Sequence, residues 1–189
     1  MIVVIVALES ELSRRTLPRG FELVHAGVGK INAALATSAV LHAHRPELVV
    51  NYGTAGAIGG AARGLVEVGR VIQRDMLAVP LAPRGVTPFD RDGPEIANGR
   101  PGLCCASGDS FVTASDAWLQ QQRVDLVDME LFAIARACAR AQVPWRAYKF
   151  VTDEAGEAAA DDWRARVGDG EALFLGVLES LRGMGEGAH

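Results

Sequence analysis

The sequence is poor in the residues that build metal and disulfide sites. It has three cysteines and four histidines in 189 residues, with no CxxC pair and none of the short His or Cys repeats of zinc sites. An odd number of cysteines is typical of reduced thiols, so we expect a cytoplasmic protein without a disulfide framework. The same absences predict a chain without a metal ion.

Long apolar runs and an excess of basic residues are also missing. The first apolar stretch, residues 2–8, is too short to span a membrane and lacks the basic leader and cleavage site of a signal peptide. The formal net charge is -4, and the 19 Lys and Arg residues are scattered rather than clustered. We therefore expect neither a membrane nor a nucleic acid as a partner.

What remains is the composition of an ordinary globular domain. Hydrophobic residues make up 49% of the chain and charged residues 22%, while aromatics at 6% leave the core mainly to Val, Leu, Ile and Ala. Two domains of this total length would each be small for burying a core of their own. We expect one domain over residues 1–182 and a flexible C-terminal tail at residues 183–189.

Apolar, β-branched runs alternate with stretches of helical periodicity. Continuous apolar strands indicate a sheet covered on both faces, because a strand with one wet face alternates polar and apolar residues. The sequence therefore predicts an α/β fold, with a long loop at residues 80–101. The expected strands are residues 2–7, 22–26, 48–52, 65–73, 103–106 and 146–152, and the expected helices are residues 30–44, 114–122, 129–142 and 161–181.

Polar side chains follow several of these strands. Glu9 and Glu11 come after the first strand, residues 51–54 after the third, and Thr152 and Asp153 after the last. Ligands of α/β proteins bind beyond the carboxyl ends of the strands, so these positions are the candidate site. Carboxylates there could protonate a leaving group, activate a water and stabilise a cationic sugar, which are the three needs of glycosidic bond cleavage.

Three familiar motifs are absent on inspection. Lys30 follows a glycine turn, but no Ser or Thr comes next as a phosphate loop requires, and residues 53–56 are not a GxGxxG fingerprint. Ser110 lacks the GxSxG elbow of esterases. The sequence thus gives no sign of a nucleoside triphosphate, a dinucleotide or an esterase triad, and we expect no cofactor.

Seven segments along the chain are informative through their order. They are VALESEL (6–12), AGVGKINAAL (26–35), NYGTAGA (51–57), GVTPF (85–89), GDSFV (108–112), VDMELFAIA (127–135) and VPWRAYKFVTDEA (143–155). In this order they resemble the segments of 5'-methylthioadenosine/S-adenosylhomocysteine nucleosidases, within the purine nucleoside phosphorylase superfamily. Each segment alone is weak, but their common order covers most of the chain. The resemblance implies a single-domain three-layer sandwich with a mixed central sheet flanked by helices, and a hydrolase that removes adenine from a 5'-modified purine nucleoside.

The resemblance also implies roles for individual residues. Glu11 matches the glutamate that activates water, and Asp153 matches the aspartate that protonates adenine N7, with Thr152 beside it in place of a serine. Glu130 matches the carboxylate that binds the ribose hydroxyls, with Met129 beneath the sugar. The remaining candidates are Phe111 and Val112 for the purine, Leu8, Val28 and Trp163 for the 5' substituent, Thr54 and Asp128 within the matched segments, and Val86 and Phe89 for a neighbouring pocket across a homodimer.

The chain departs from the family's pattern near the pocket for the 5' group. The segment between Phe89 and Gly108 is short, Asp128 replaces the first glutamate of a Glu-Met-Glu signature, and Leu8 stands where a methionine is usual. These changes bear on the identity of the substrate more than on the chemistry.

Several alternatives stay open at this stage. A phosphorolytic relative would use phosphate, although Asn51 and the acidic residues 9–11 stand where such enzymes carry arginine and glycine. Another hydrolase could act on a different adenosyl or futalosine-type compound, and a non-catalytic nucleoside-binding protein could share the fold. Each carboxylate also has a structural interpretation: Glu11 as a solvated carboxylate that favours the first turn of a helix, Asp153 as an N-cap, and Glu130 as a first-turn residue after a cap.

Overall fold

The computed structural model describes residues 1–60, 62–155 and 159–186, without the side chains of residues 159–160 and 184–186. This part of the chain forms eight strands and five helices. The strands are β1 (Ile2–Val6), β2 (Phe21–His25), β3 (Leu48–Ala57), β4 (Leu65–Gln73), β5 (Glu95–Ala97), β6 (Leu103–Ser107), β7 (Leu126–Asp128) and β8 (Trp145–Glu154). The helices are α1 (Lys30–His44), α2 (Ala117–Gln121), α3 (Leu131–Arg140), α4 (Ala159–Arg166) and α5 (Glu171–Glu186).

The sheet is mixed and curls until it closes. Strands β2, β1 and β3 run parallel, and β3 continues into a ring of five strands in the order β3, β8, β4, β6 and β7. The ring closes because the C-terminal end of β3 pairs antiparallel with β7. Residues just after β1 and β4 and residues in the C-terminal parts of β3, β7 and β8 thereby come together at one edge of the sheet.

Alternate residues of the strands face two separate cores. Val3 and Ile5 of β1 pack in the cluster that contains α1 and α3, whereas Val4 and Val6 pack in the cluster that contains α5. All four side chains are fully buried, and each such burial contributes roughly 1.5–3 kcal/mol. The expected α/β sandwich with helices on both faces of a mixed sheet is confirmed.

The helix predicted over residues 161–181 is two helices. Gly170 lies in the turn between α4 and α5, and a Cβ atom there would lie 2.5 Å from the Tyr52 hydroxyl and from the Phe150 ring. Tyr52 stacks on Phe174 at the start of α5, with ring centroids 4.3 Å apart. The break lets α5 approach the sheet at this point.

Other differences from the predicted secondary structure concern two short strands and the C-terminal end of the chain. Strands β5 and β7 have three residues each and were not expected; β5 lies inside the segment predicted as a long loop. The predicted start of the flexible tail, residue 183, is too early, because α5 runs on to Glu186. The rest of the predicted tail, residues 187–189, lies outside the described residues. Within the described ranges, every helix is too short or too polar to cross a membrane.

Candidate active site

A cavity of about 280 Å³ lies at the edge where the strand ends meet. All twelve residues proposed from the sequence for catalysis and substrate binding line this cavity, although they come from seven separate stretches of the chain. They are Leu8, Glu11, Val28, Thr54, Phe111, Val112, Asp128, Met129, Glu130, Thr152, Asp153 and Trp163. The topology therefore brings the predicted side chains together.

Glu11 is held in a turn after β1 rather than exposed to solvent. Its Oε1 accepts hydrogen bonds from the backbone N–H of Thr54 at 2.8 Å and from the Thr54 hydroxyl at 2.9 Å. Its Oε2 accepts from the backbone N–H of Leu8 at 3.1 Å. The residue is 4% exposed, so the interpretation as a solvated carboxylate is wrong.

Trp163 extends this network from α4. Its indole Nε1–H donates to the Thr54 hydroxyl at 2.9 Å. Since that hydroxyl donates in turn to Glu11, one hydrogen-bonded chain joins the helix, strand β3 and the carboxylate. The position of Glu11 thus depends on the docking of α4 against the sheet.

Asp153 stands near the end of β8, where it faces the cavity. Its Oδ1 accepts a hydrogen bond of 2.7 Å from the Thr152 hydroxyl. Burial raises the pKa of this carboxyl, and the bond from Thr152 opposes the rise only in part. Because Asp153 lies within β8 and α4 begins at Ala159, it is not a helix N-cap.

Glu130 occupies the position just before α3. It makes no capping bond with its side chain; instead its Oε1 accepts from the backbone N–H of Gly29 at 2.8 Å. Burial and the neighbouring charge of Asp128 raise the pKa of Glu130 to about 7.

A buried ion pair supports the floor of the cavity. Lys149 Nζ lies 2.7 Å from Asp128 Oδ2, and the two side chains are 1% and 0% exposed. The Ser107 hydroxyl donates to the other oxygen of Asp128, Oδ1, at 2.5 Å, and the backbone N–H of Leu131 donates to Oδ2 at 2.9 Å. Although burial opposes ionisation, the Lys149 ammonium keeps the pKa of Asp128 below its usual value.

The aromatic and aliphatic candidates lie around the opening. Phe111 is 47% exposed and Val28 is 43% exposed, so both could contact a ligand that enters. Val86 and Phe89, proposed for a neighbouring pocket, do not line this cavity. Phe89 is 92% exposed on its loop and has a positive φ of 61°.

Sequence reasoning missed some of the lining. Arg74 directly follows β4, so a search of every strand exit would have found it. Lys149 does not line the cavity but pairs with Asp128, which does; it lies inside an apolar strand, where only this three-dimensional pairing reveals its importance. The other unexpected lining residues are Ala7, Ala55, Gly56, Ser110, Val127 and Ala155.

The carboxyl groups that line the cavity can accept and donate protons. Within the described ranges, His, Cys, Asp and Glu do not form a group of three or more that could hold a metal ion. Glu11 is placed to accept a proton, and Asp153 has a raised pKa that suits a proton donor. The fold and cavity define a class: an α/β enzyme whose cavity, at the edge of its sheet, is lined with carboxyl groups.

Comparison with known proteins gives the family. A family model described as the phosphorylase superfamily matches residues 22–178. The 5'-methylthioadenosine/S-adenosylhomocysteine nucleosidase of Haemophilus influenzae (strain PittEE) is 32% identical in a match that covers 84% of this chain and 76% of that protein. The chain belongs to the phosphorylase superfamily and, within it, is related to these nucleosidases.

Solved structures agree on the fold. The futalosine hydrolase of Helicobacter pylori strain 26695 superposes with a TM-score of 0.86 at 18% identity, over 97% of each chain. A 5'-methylthioadenosine/S-adenosylhomocysteine nucleosidase from Neisseria meningitidis, solved with methylthio-immucillin-A, gives a TM-score of 0.77 at 23% identity over 88% of this chain and 91% of that one. At these identities the likeness concerns the fold.

Proposed function

We propose that this protein hydrolyses the N-glycosidic bond of a 5'-modified purine nucleoside, of the 5'-methylthioadenosine or S-adenosylhomocysteine type, and releases adenine and the ribosyl sugar. One observation carries the proposal: three carboxyl groups from distant parts of the chain, Glu11, Glu130 and Asp153, line one cavity. The relation to named nucleosidases supports it.

Asp153 acts as the acid in the proposed mechanism. Adenine leaves poorly as an anion, so a proton delivered to N7 lowers the barrier to bond cleavage. Burial raises the pKa of Asp153, which favours the protonated form that can donate. The Thr152 hydroxyl, 2.7 Å from Oδ1, orients the carboxyl.

Glu11 acts as the base, and Glu130 binds the sugar. Glu11 is fixed by donors from Leu8 and Thr54, so it can accept a proton from a water aimed at the anomeric carbon. Glu130 is anchored by Gly29 and would accept bonds from the ribose hydroxyls. As the sugar gains positive charge in the transition state, nearby carboxylates stabilise it.

The same geometry disfavours phosphate as the nucleophile. Asn51, at a position where phosphorolytic relatives carry arginine, is 2% exposed, and its side-chain amide donates to the backbone carbonyls of Ile5 and Tyr52. It therefore points into the strands and not toward an anion. The carboxylate of Glu11 in the cavity would also repel phosphate.

A hydrolase for another adenosyl or futalosine-type compound is the second candidate function. The short segment between Phe89 and Gly108 contains only β5 and β6 as regular structure in the described residues. That segment follows the loop proposed to complete a neighbouring pocket, so a change there affects the 5' end of the ligand.

We further propose that the protein acts as a homodimer. Phe89 is 92% exposed, and the loop after β4 also exposes Leu77, Val79 and Leu81 at 71%, 75% and 69%. Apolar side chains grouped on a surface mark sites of association. The family resemblance implies the arrangement: a second copy that covers this loop would take Val86 and Phe89 into its own pocket.

The decisive experiment is a substrate panel. The protein is incubated with 5'-methylthioadenosine, S-adenosylhomocysteine, adenosine, inosine and futalosine, with and without phosphate, and free base is followed by chromatography. We expect base release that does not depend on phosphate and yields a free ribosyl sugar. A sugar 1-phosphate would refute hydrolysis, and binding without any base release would favour a non-catalytic protein.

A further inference from the structure

Helix α4 carries two donors that reach the two strands bearing the proposed acid and the contacts of the proposed base. Trp163 donates to the Thr54 hydroxyl on β3. Arg166, three residues further along the helix, donates from Nη1 to the backbone carbonyl of Thr152 on β8 at 2.9 Å. Residues three apart lie on one face of a helix, so a single face of α4 contacts both strands.

Thr152 is an extra residue in the pairing of β8 with β3. The register holds up to Val151 and Ala55 and resumes at Asp153 and Gly56, so Thr152 has no partner residue on β3. In a regular strand successive side chains point to opposite faces, whereas Thr152 and Asp153 both line the cavity. Irregularities of this kind re-aim a side chain next to an active site. This one therefore sets the direction of the Asp153 carboxyl.

The Arg166 guanidinium has further contacts beside this irregularity. Its Cζ lies over the Phe150 ring, 5.6 Å from the ring centroid, and its Nε lies 3.7 Å from Asp169 Oδ2. Phe150 belongs to β8, so Arg166 contacts the strand both before the irregularity and at it. Because 47% of the Arg166 side chain is exposed, its loss should leave the core of the fold intact.

The positive charge of Arg166 also acts on Asp153. Burial raises the pKa of the Asp153 carboxyl; the hydrogen bond from Thr152 opposes the rise, Asp162 adds to it, and Arg166 opposes it. Loss of the Arg166 charge should therefore raise the pKa of Asp153 further. The other charged side chains near Asp153 are Glu154, next along β8, and those that line the cavity from other elements: Glu11 after β1, Arg74 after β4, Asp128 of β7 and Glu130 before α3.

We propose that Arg166 is a positioning residue for Asp153: by holding the carbonyl of the unpaired Thr152, it keeps the Asp153 carboxyl aimed at the departing base. This inference rests on the proposed nucleosidase function and adds a residue to its acid side. Arg166 does not line the cavity, so it acts through Thr152 and not by contact with the ligand.

The first test compares kcat with KM in Arg166→Met, Arg166→Lys and the wild type, using the best substrate of the panel. The pH-independent kcat, taken from the full pH profile, should fall about three- to tenfold in Arg166→Met, because one hydrogen bond from a partly exposed charged donor is lost. KM should change by less than about twofold, since the residues that line the cavity are unchanged. Arg166→Lys, which keeps the charge and a donor, should regain part of kcat.

Arg164→Met is the matched control. Arg164 lies on the same helix, and its pair with Asp161 is exposed, so both kinetic constants should match those of the wild type. A wild-type kcat in Arg166→Met would overturn the proposal. A rise in KM in step with the fall in kcat would also overturn it, because it would show that α4 had lost its place and taken Trp163 out of the cavity.

Carbon-13 NMR of the aspartate carboxyl groups in the ligand-free protein keeps the two proposals separable. The Asp153 signal is the one that Asp153→Asn lacks, and its pKa should be higher in Arg166→Met than in the wild type, Arg166→Lys or Arg164→Met. If the wild type releases no base from any nucleoside of the panel, the proposed function fails. The higher pKa in Arg166→Met would still support the action of Arg166 on Asp153, and an unchanged pKa would refute it.

Discussion

Lys149 and Asp128 form an ion pair of 2.7 Å that is closed to solvent on every side. Replacing Lys149 by Met would leave Asp128 buried and unpaired, which typically costs about 3–5 kcal/mol. We expect the free energy of unfolding in urea to fall by that amount. Arg164→Met is the control, since its pair with Asp161 is exposed and should change the free energy by less than about 0.5 kcal/mol. An unchanged free energy of unfolding in Lys149→Met would show that the ion pair does not stabilise the protein.

Asp153→Asn should separate binding from catalysis. The amide keeps the shape and can donate a hydrogen bond, but it cannot transfer a proton to the departing base. We expect adenosine-type ligands to bind while turnover falls by roughly a hundredfold or more, the usual scale for a lost general acid. Glu11→Gln should also lose turnover, through failure to activate water.

The control for this pair is Asp161→Asn, at an exposed position on α4. Its turnover should match that of the wild type. A near wild-type rate in Asp153→Asn would refute the mechanism and leave Asp153 with a structural role only.

Glu130 should make stability depend on pH. Its pKa is raised from 4.5 to about 7, so the native state binds the proton more tightly than the unfolded chain. This stabilisation is fully present below the unfolded pKa and is lost as pH rises through about 7. Relative to Glu130→Gln, the wild type should therefore lose roughly 2–3 kcal/mol of unfolding free energy between about pH 5 and about pH 8.

Urea unfolding at both pH values measures this difference. Glu179→Gln, at an exposed position on α5, is the matched control and should follow the wild type. If the free energies of unfolding of the wild type and Glu130→Gln changed with pH in parallel, the pKa of the Glu130 carboxyl would not be raised by folding.

Trp163→Phe tests the hydrogen-bonded chain from α4 to Glu11. The substitution keeps an aromatic ring but removes the N–H that donates to Thr54. A single neutral hydrogen bond contributes about 0.5–1.5 kcal/mol, so we expect kcat to fall by about two- to tenfold. Trp118→Phe, outside the cavity, should leave kcat unchanged. Equal kcat values in the two variants would show that the hydrogen bond from Trp163 to Thr54 does not contribute to catalysis.

Phe89→Asp tests the proposed dimer. A charge in place of a contact aromatic should shift the protein toward monomers in sedimentation velocity and lower its activity, because the neighbouring pocket would be incomplete. Leu173→Asp places the same charge on α5 at a residue that is 53% exposed, and should leave the sedimentation coefficient unchanged. A wild-type monomer with full activity would refute the dimer.

Long elements could be predicted from the sequence better than short ones. The bounds of α1 and β4 agree with the prediction at both ends, because each shows its periodicity over many residues. Strands β5 and β7 are too short to show a period. The break at Gly170 was missed because its cause is the contact with Tyr52 and Phe150, which are distant in sequence.

In the site, too, residues with a local signal in the sequence could be predicted, and residues defined by distant contacts could not. Glu11 and Asp153 were found because the family resemblance and the predicted strand ends coincide there, whereas Glu130 was found from the resemblance alone. Lys149 was missed because a lysine in an apolar strand gives no local sign of its partner. Asp128 lies 21 residues earlier in the chain than Lys149, and only the closed ring of strands brings the two together.

Two glycines of β3 make room for Glu11 and Asp153. A Cβ atom at Gly53 would lie 3.3 Å from Glu11 Oε1, and one at Gly56 would lie 2.7 Å from Asp153 Oδ2. Each carboxylate therefore rests on bare backbone of the same strand, on either side of the irregularity between Ala55 and Gly56. The strand serves as a template: a side chain at either glycine would crowd one of the two carboxyl groups, so in the proposed mechanism the backbone of a single strand sets the places of both acid and base.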